Sequence, residues 1–181
     1  MILIINICKE RLHAFEFVKP IEDILKSNKT TYFTKHYLNL NEKDIKEADK
    51  VVICGTSLKD FDYFNHVEKF EWIKSFEKPI LGICGGMEII AKMFNGRLVS
   101  KKLIIGLKPI RFHKEFLGLE GDKEAYFLHQ LWVASVSKGF NYYSDPNKGI
   151  QAIKHKTKPI YGVLFHPEVR NKQMVENFAK I

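Results

Sequence analysis

The sequence predicts an α/β fold: a central sheet, mixed but mostly parallel, flanked by helices and interrupted by a β-rich antiparallel excursion. Three observations predict it. Continuous apolar runs recur along the chain (MILIINI at 1–7, KVVICG at 50–55, PILGI at 79–83 and PIYGVLFH at 159–166), as strands buried on both faces of a parallel sheet require. Segments with helical spacing of apolar residues alternate with them through the first half. From Arg97 to Lys156 the texture changes to strand-like stretches separated by Gly, Asp, Asn and Pro, the punctuation of antiparallel strands.

The elements follow in order. Residues 1–7 read as a central strand. FEFVKPIEDILKS (15–27) has helical spacing, and Pro20 either kinks this helix or marks its true start. TTYFTKHY (30–37) reads as a second strand, and Asn41 caps a short helix ending near Ala48. The third strand, 50–55, closes on Gly55. HVEKFEWIKSF (66–76) places Val67, Phe70, Ile73 and Phe76 on one helical face. The strand at 79–83 runs without a spacer into CGGMEIIAKMF, a helix stopped by Asn95-Gly96. LKPIRFH, YFLHQLWVASV and IQAIKHK supply the short strands of the excursion, 159–166 the last strong strand, and NKQMVENFAKI a closing helix. With 181 residues and no linker, repeat or low-complexity segment, one domain over 1–181 is expected.

Composition narrows the partners. The formal charge of +8 comes from lysines scattered among Glu and Asp, while Arg11, Arg97, Arg111 and Arg170 are the only arginines. A nucleic-acid site would cluster its cations and favour Arg, so a solvated lysine-rich surface is expected and no nucleic-acid partner. No run of about eighteen apolar residues suggests a membrane span. The opening is apolar before it is basic, the reverse of a secretory signal. Cys8, Cys54 and Cys84 are odd in number with no CxxC spacing, so no disulfide framework or zinc site is expected. A reduced, cytoplasmic protein without metal or cofactor is the expectation.

The chemistry is concentrated at two segments. Gly82-Ile83-Cys84-Gly85-Gly86 is a nucleophile elbow between a buried strand and a helix. Its glycines suit a strained turn, and the helix N-terminus favours a thiolate and can stabilise an oxyanion. Phe165-His166-Pro167-Glu168 ends the last apolar strand. Pro167 biases His166 to extended geometry, and residues two apart on an extended segment share a side, so Glu168 is expected beside the His166 ring. Nucleophile, base and orienting carboxylate can thus all be named.

KPILGICGGMEIIAKMFNG and KHKTKPIYGVLFHPEV together resemble the class I (triad) glutamine amidotransferase family, and within it the glutaminase subunit of archaeal GMP synthetases. The resemblance implies a single-domain fold of that type and a catalytic triad of Cys84, His166 and Glu168. It implies that Cys84 attacks the side-chain amide of L-glutamine, that His166 protonates the departing ammonia, and that water hydrolyses the resulting thioester. The oxyanion hole would use Gly85 and either Gly55 or Thr56, and Glu88, His129, Gln130 and Leu131 would bind substrate. Three departures mark a divergent branch. Met87-Glu88 stand where the family has His-Gln, Cys54-Gly55-Thr56-Ser57 replaces a loop of two glycines and a proline, and Leu128-His129-Gln130-Leu131 replaces a Ser-His or Asn-His segment. No P-loop or other nucleotide fingerprint is present, so a separate ATP-dependent synthetase is the expected recipient of the ammonia. The other readings are a stand-alone γ-glutamyl amide hydrolase, motivated by Glu88, and a catalytically silent regulatory subunit.

Overall fold

The computed structural model describes residues 1–145 and 149–181. Within them, nine strands form two sheets: a seven-stranded sheet in the order β2-β1-β3-β4-β9-β8-β7 and a two-stranded sheet of β5 and β6. The first half supplies β1 (Ile2–Asn6), β2 (Tyr32–His36), β3 (Lys50–Ile53) and β4 (Ile80–Ile83). The second half supplies β5 (Arg97–Phe116), β6 (Leu119–Ser135), β7 (Phe140–Tyr142), β8 (Ala152–His155) and β9 (Ile160–Val163). Strands β2, β1, β3, β4 and β9 run parallel, and β8 and β7 extend that sheet antiparallel.

The apolar runs form the parallel strands because both faces of the sheet are covered. In β1, Ile2 and Ile4 enter one core with Phe17, Ile21, Val175 and Phe178, while Leu3 and Ile5 enter the other with Tyr63, Ile89 and Ile90. That split follows from strand alternation. The first core is covered by α1 (Ala14–Phe17), α2 (Lys19–Ser27) and α5 (Gln173–Lys180), the second by α4 (Gly85–Met93). Asn41 caps α3 (Glu42–Glu47) in a reciprocal box, its Oδ1 accepting from Asp44 N while Asp44 Oδ2 accepts from Asn41 N. Among the described residues no helix is long and apolar enough to cross a membrane.

Three element expectations are corrected. The helix expected at 15–27 is two helices, and of the two roles read for Pro20 the helix start is the one found: it lies in the first turn of α2, where its missing N–H costs nothing. The helix expected at 66–76 is a run of 3₁₀ turns over Asp62–Lys74, broken at His66 (φ −132°, ψ 33°). Its apolar side chains still meet the core, because Phe70 and Ile73 are fully buried. Of the short strands expected after Arg97, IQAIKHK is present as β8, while LKPIRFH and YFLHQLWVASV belong to a hairpin of 20 and 17 residues. Phe116 pairs with Leu119 across Leu117 (φ 52°) and Gly118 (φ 86°), a two-residue turn with both central residues at positive φ. The hairpin is tied to the main sheet where Phe112 pairs with Ser144 and His113 N donates to Tyr143 O (3.1 Å).

Replacing Asn41 by Ala removes one half of the capping box and should destabilise the protein by about 1 kcal/mol. Chemical denaturation, with an unchanged dependence on denaturant, checks this.

Candidate active site

Parallel strands that lie side by side end at one edge of the sheet, and that edge carries the site. Cys8 lies just beyond β1, Cys54 and Gly55 beyond β3, Cys84 beyond β4 and His166 beyond β9. Cys84 itself adopts φ 48° and ψ −105°, a conformation costly for a residue with a side chain and held only by its surroundings. Two bonds fix it: Cys84 N donates to Val163 O (2.7 Å), and Glu88 N donates to Cys84 O (3.0 Å) at the start of α4. Gly86 permits the turn, since a Cβ there would lie 2.3 Å from Ile53 O. The elbow read from the sequence is therefore present.

His166 is placed from the other side. Its N–H donates to Tyr126 O of β6 (2.8 Å), and its Nδ1 lies 2.6 Å from Glu168 Oε1. The route to that contact differs from the expected extended segment. Val169 N and Arg170 N both donate to His166 O (3.2 and 3.3 Å), so Pro167 and Glu168 sit in a tight turn that folds the carboxylate back onto the ring. Imidazole and carboxylate are both buried, at 1% and 3% exposure. Glu168 Oε2 is buried without a donor among the described residues, so the charge of Glu168 is offset through His166.

Gly55 closes the contact between the two segments. A Cβ on Gly55 would lie 2.7 Å from His166 Cε1 and 3.3 Å from Cys84 Cβ, so thiol and imidazole flank the same glycine. Burial is the largest influence on Cys84 and pushes its thiol above the ordinary value, while the nearby His166 pulls it back; in the resting geometry Sγ donates to Leu128 O (3.8 Å), and His166 Nε2 has no hydrogen-bond partner among the described residues. Burial opposes charge on His166, but Glu168 and Cys84 more than offset it and raise the imidazole well above its usual range. The two groups therefore behave as a coupled pair: desolvation opposes the thiolate that the helix N-terminus favours, and His166 opposes that desolvation.

A cleft with about 280 Å³ of empty space, including its open mouth, lies over the sulfur. Of the residues expected at the oxyanion hole and substrate site, Gly85, Thr56, Glu88, His129, Gln130 and Leu131 line it together with Cys84, while Gly55 lies behind it against the imidazole. Gly85 N–H, in the first turn of α4, has no intrahelical partner. His129 Nδ1 lies 3.0 Å from Leu131 O, so that nitrogen carries the proton. Burial pushes the His129 pKa down to about 4, which keeps the ring neutral.

The structure also brings in residues that no sequence motif marked. Tyr63 Oη donates to Glu88 Oε2 (2.5 Å), deep in the cleft wall. Asp60 Oδ2 accepts from Thr56 Oγ1 (2.5 Å) and from Lys9 N (2.8 Å), fastening the loop after β3 to the loop after β1. Ser57 Oγ lies 2.9 Å from His13 Nδ1. Asp60 and Tyr63 belong to a polar loop and an irregular 3₁₀ run, so only the folded chain places them. Among the described residues no group of three His, Cys, Asp or Glu side chains could hold a metal ion.

Burial pushes the Glu88 carboxyl up to about 7, opposed by the Tyr63 hydrogen bond and by His166. A carboxyl raised on folding stabilises the fold fully below its unfolded pKa, and that contribution is lost as pH rises through the folded value. Glu88→Gln should therefore leave stability unchanged near pH 4. Near pH 8 it should raise stability by on the order of 2 kcal/mol, as thermal unfolding at the two pH values would show.

The chain matches the family model described as glutamine amidotransferase class-I over residues 16–180. It is 35% identical over 120 residues to the glutamine-hydrolyzing GMP synthase subunit of Methanosphaera stadtmanae, covering 61% of this chain and 64% of that protein. It is 31% identical over 152 residues to the corresponding protein of Sulfolobus acidocaldarius, covering 77% and 79%. The match thus spans just under two thirds of the first relative's length. Among crystal structures, a protein assigned as a GMP synthase subunit from Thermoplasma acidophilum superposes with a TM-score of 0.86 at 21% identity, covering 99% of this chain and 92% of that one. A glutamine amidotransferase from Thermotoga maritima superposes with a TM-score of 0.74 at 18% identity, covering 99% and 80%. The family-model match over residues 16–180, together with a relative 31% identical across 77% of the chain, shows that this chain belongs to the class I glutamine amidotransferase family.

Proposed function

We propose that this protein is a glutaminase that hydrolyses the side-chain amide of L-glutamine through a thioester on Cys84 and passes the ammonia to a separate, ATP-dependent synthetase. The observation that carries the reading is the convergence at Gly55 of a buried thiol and a buried imidazole whose Nδ1 is 2.6 Å from a buried carboxylate. That arrangement supplies a nucleophile, a proton carrier and the group that orients it. The GMP synthase subunits found as relatives support amination of a purine nucleotide as the destination of the ammonia.

In this reading the reaction runs in two halves. His166 takes the Cys84 proton, and the pair becomes reactive as thiolate beside imidazolium, a state that Glu168 stabilises. The sulfur attacks the carboxamide carbon. Gly85 N–H, with a backbone N–H from Gly55 or Thr56, receives the developing oxyanion. His166 then gives its proton to the departing nitrogen, releasing ammonia and leaving the γ-glutamyl thioester. Water, deprotonated by His166, hydrolyses the thioester to glutamate and restores the thiol. Gln130 and Leu131 shape the cleft wall against the substrate.

A second reading, hydrolysis of other γ-glutamyl amides without a partner, is motivated by Glu88, a buried carboxyl where the family has glutamine. Product analysis with free glutamine and with N-substituted γ-glutamyl amides separates the two. Preference for the substituted amides would displace the leading reading.

Glutamate release from L-glutamine should be measurable in the presence of the synthetase that co-purifies with the chain. It should vanish in Cys84→Ala and fall by roughly two to four orders of magnitude in Glu168→Gln, with kcat rather than KM affected. Gly55→Ala should cost comparable activity while the protein stays folded, because the added methyl displaces the imidazole from the thiol. Turnover that survives Cys84→Ala would refute the proposal.

A further inference from the structure

Between the hairpin of β5 and β6 and the residues Ser144 and Gln151 ahead of β8 lies a cavity with about 590 Å³ of empty space, including its open mouth. Ile104, Ile110 and Phe127 give it apolar walls, and Gln151 gives it an amide. Gln151 is 6% exposed, and its Oε1 is buried with no hydrogen-bond partner among the described residues. Buried polar groups normally find partners, and each one left without costs free energy. A Cβ on Gly149 would lie 2.5 Å from Trp132 Cζ3 and 3.4 Å from Gln151 Nε2, so the indole and the amide meet over one glycine. A second, more open recess shares Ile104, Lys108 and Trp132 with the cavity and adds Lys102. It forms a basic shelf at the cavity's mouth. Lys101 Nζ lies 5.5 Å from the Trp132 ring centroid beside it. Asp122 and Glu124 of β6 are taken up by Arg111 and Arg170 (3.9 and 3.4 Å), so neither offsets these lysines. Asp145 borders the cavity but not the shelf.

We propose that cavity and shelf together bind an adenine nucleoside monophosphate, with the base against Gln151 and the phosphate on Lys102 and Lys108, and that its presence is felt at the catalytic cleft. A glutamine amide offers a donor and an acceptor side by side. The edge of adenine carries the complementary pair on a flat ring, which suits a slot with apolar walls. A purely apolar ligand would leave Gln151 Oε1 unpaired, and a small anion alone would gain nothing from those walls. The lysines meet the phosphate with charge and N–H donors, so side chains replace the glycine-rich loop that the sequence lacks. The route to the cleft is short. Trp132, common to cavity and shelf, meets the His129 ring edge-on at 4.8 Å, and Ile104 pairs with His129 across the hairpin. His129 borders the cleft together with Cys84, so a ligand that fixes Trp132 and Ile104 fixes one wall of the cleft.

Calorimetry on the full chain tests the site with AMP, purine riboside 5′-monophosphate, adenosine and ribose 5-phosphate. AMP should bind most tightly. The purine riboside nucleotide lacks the exocyclic amino group, leaves Gln151 Oε1 unpaired and should bind roughly tenfold more weakly. Gln151→Leu should erase that difference by weakening AMP alone. Joint replacement Lys102→Ala and Lys108→Ala should erase the advantage of AMP over adenosine while adenosine binding stays unchanged. Each substitution touches one end of the ligand, so a variant that misfolds is recognised by losing every ligand together. In the unsubstituted protein, saturating AMP should change the rate of Cys84 alkylation by iodoacetamide by about fivefold or more, the low end of coupling between sites. No binding of AMP, binding of ribose 5-phosphate as tight as that of AMP, or a preference for AMP that survives Gln151→Leu overturns the site. AMP binding that leaves Cys84 alkylation unchanged overturns its link to the cleft. None of these outcomes depends on turnover of glutamine.

Discussion

The site depends on one constraint: two neighbouring parallel strands, β4 and β9, end at the same edge of the sheet and are stapled there by the Cys84 N–H to Val163 O bond. Register does the rest. Gly82 pairs with Gly162 and Ile83 with Val163, so the residue after one strand and the third residue after the other are brought face to face although some eighty positions separate them. The strained backbone at Cys84 turns the sulfur out of the sheet. The 166–170 turn folds Glu168 behind the imidazole. Ligands of open α/β sheets settle at the carboxyl ends of the strands for this reason: consecutive loops converge there while the strands below stay rigid.

Burial shapes the chemistry as much as proximity does. Exposed to water, the thiol and imidazole would each titrate near their ordinary values. Enclosed, the thiol rises under desolvation, and the imidazole rises because Glu168 and Cys84 face it at close range. The same enclosure raises Glu88 and silences His129 as a base. The edge therefore holds one proton-transfer pair, with Glu88 and His129 beside it moved in opposite directions by the same burial.

How much of this was legible in the sequence depends on whether the signal is local. The parallel strands were, because continuous Ile, Leu and Val runs have no other stable place than a sheet covered on both faces. The elbow was, because strand, Cys84, paired glycines and helix are contiguous. His166 and Glu168 were correctly paired, but through the wrong geometry: Pro167 reads as extended, and the turn shows only when the main-chain bonds of Val169 and Arg170 are seen. The long hairpin was not legible, because Leu117-Gly118 lacks the Asn-Gly signature of its turn type, and Leu at φ 52° is outvoted by two strands of pairing. Apolar spacing over 66–76 was real, yet 3₁₀ turns satisfy it as well as an α-helix. Asp60 and Tyr63 carried no motif at all, since their importance comes from what lies opposite them.

The coupling of Cys84 to His166 is the claim on which the rest stands, and the pH dependence of Cys84 alkylation by iodoacetamide tests it without any substrate. Alkylation of Cys84 should rise with pH along a single titration in the native protein. In His166→Asn the same rise should move to higher pH, because burial then acts on the thiol with no imidazole to offset it. Identical profiles in the two proteins would show that the sulfur and the ring do not interact, and would contradict the account.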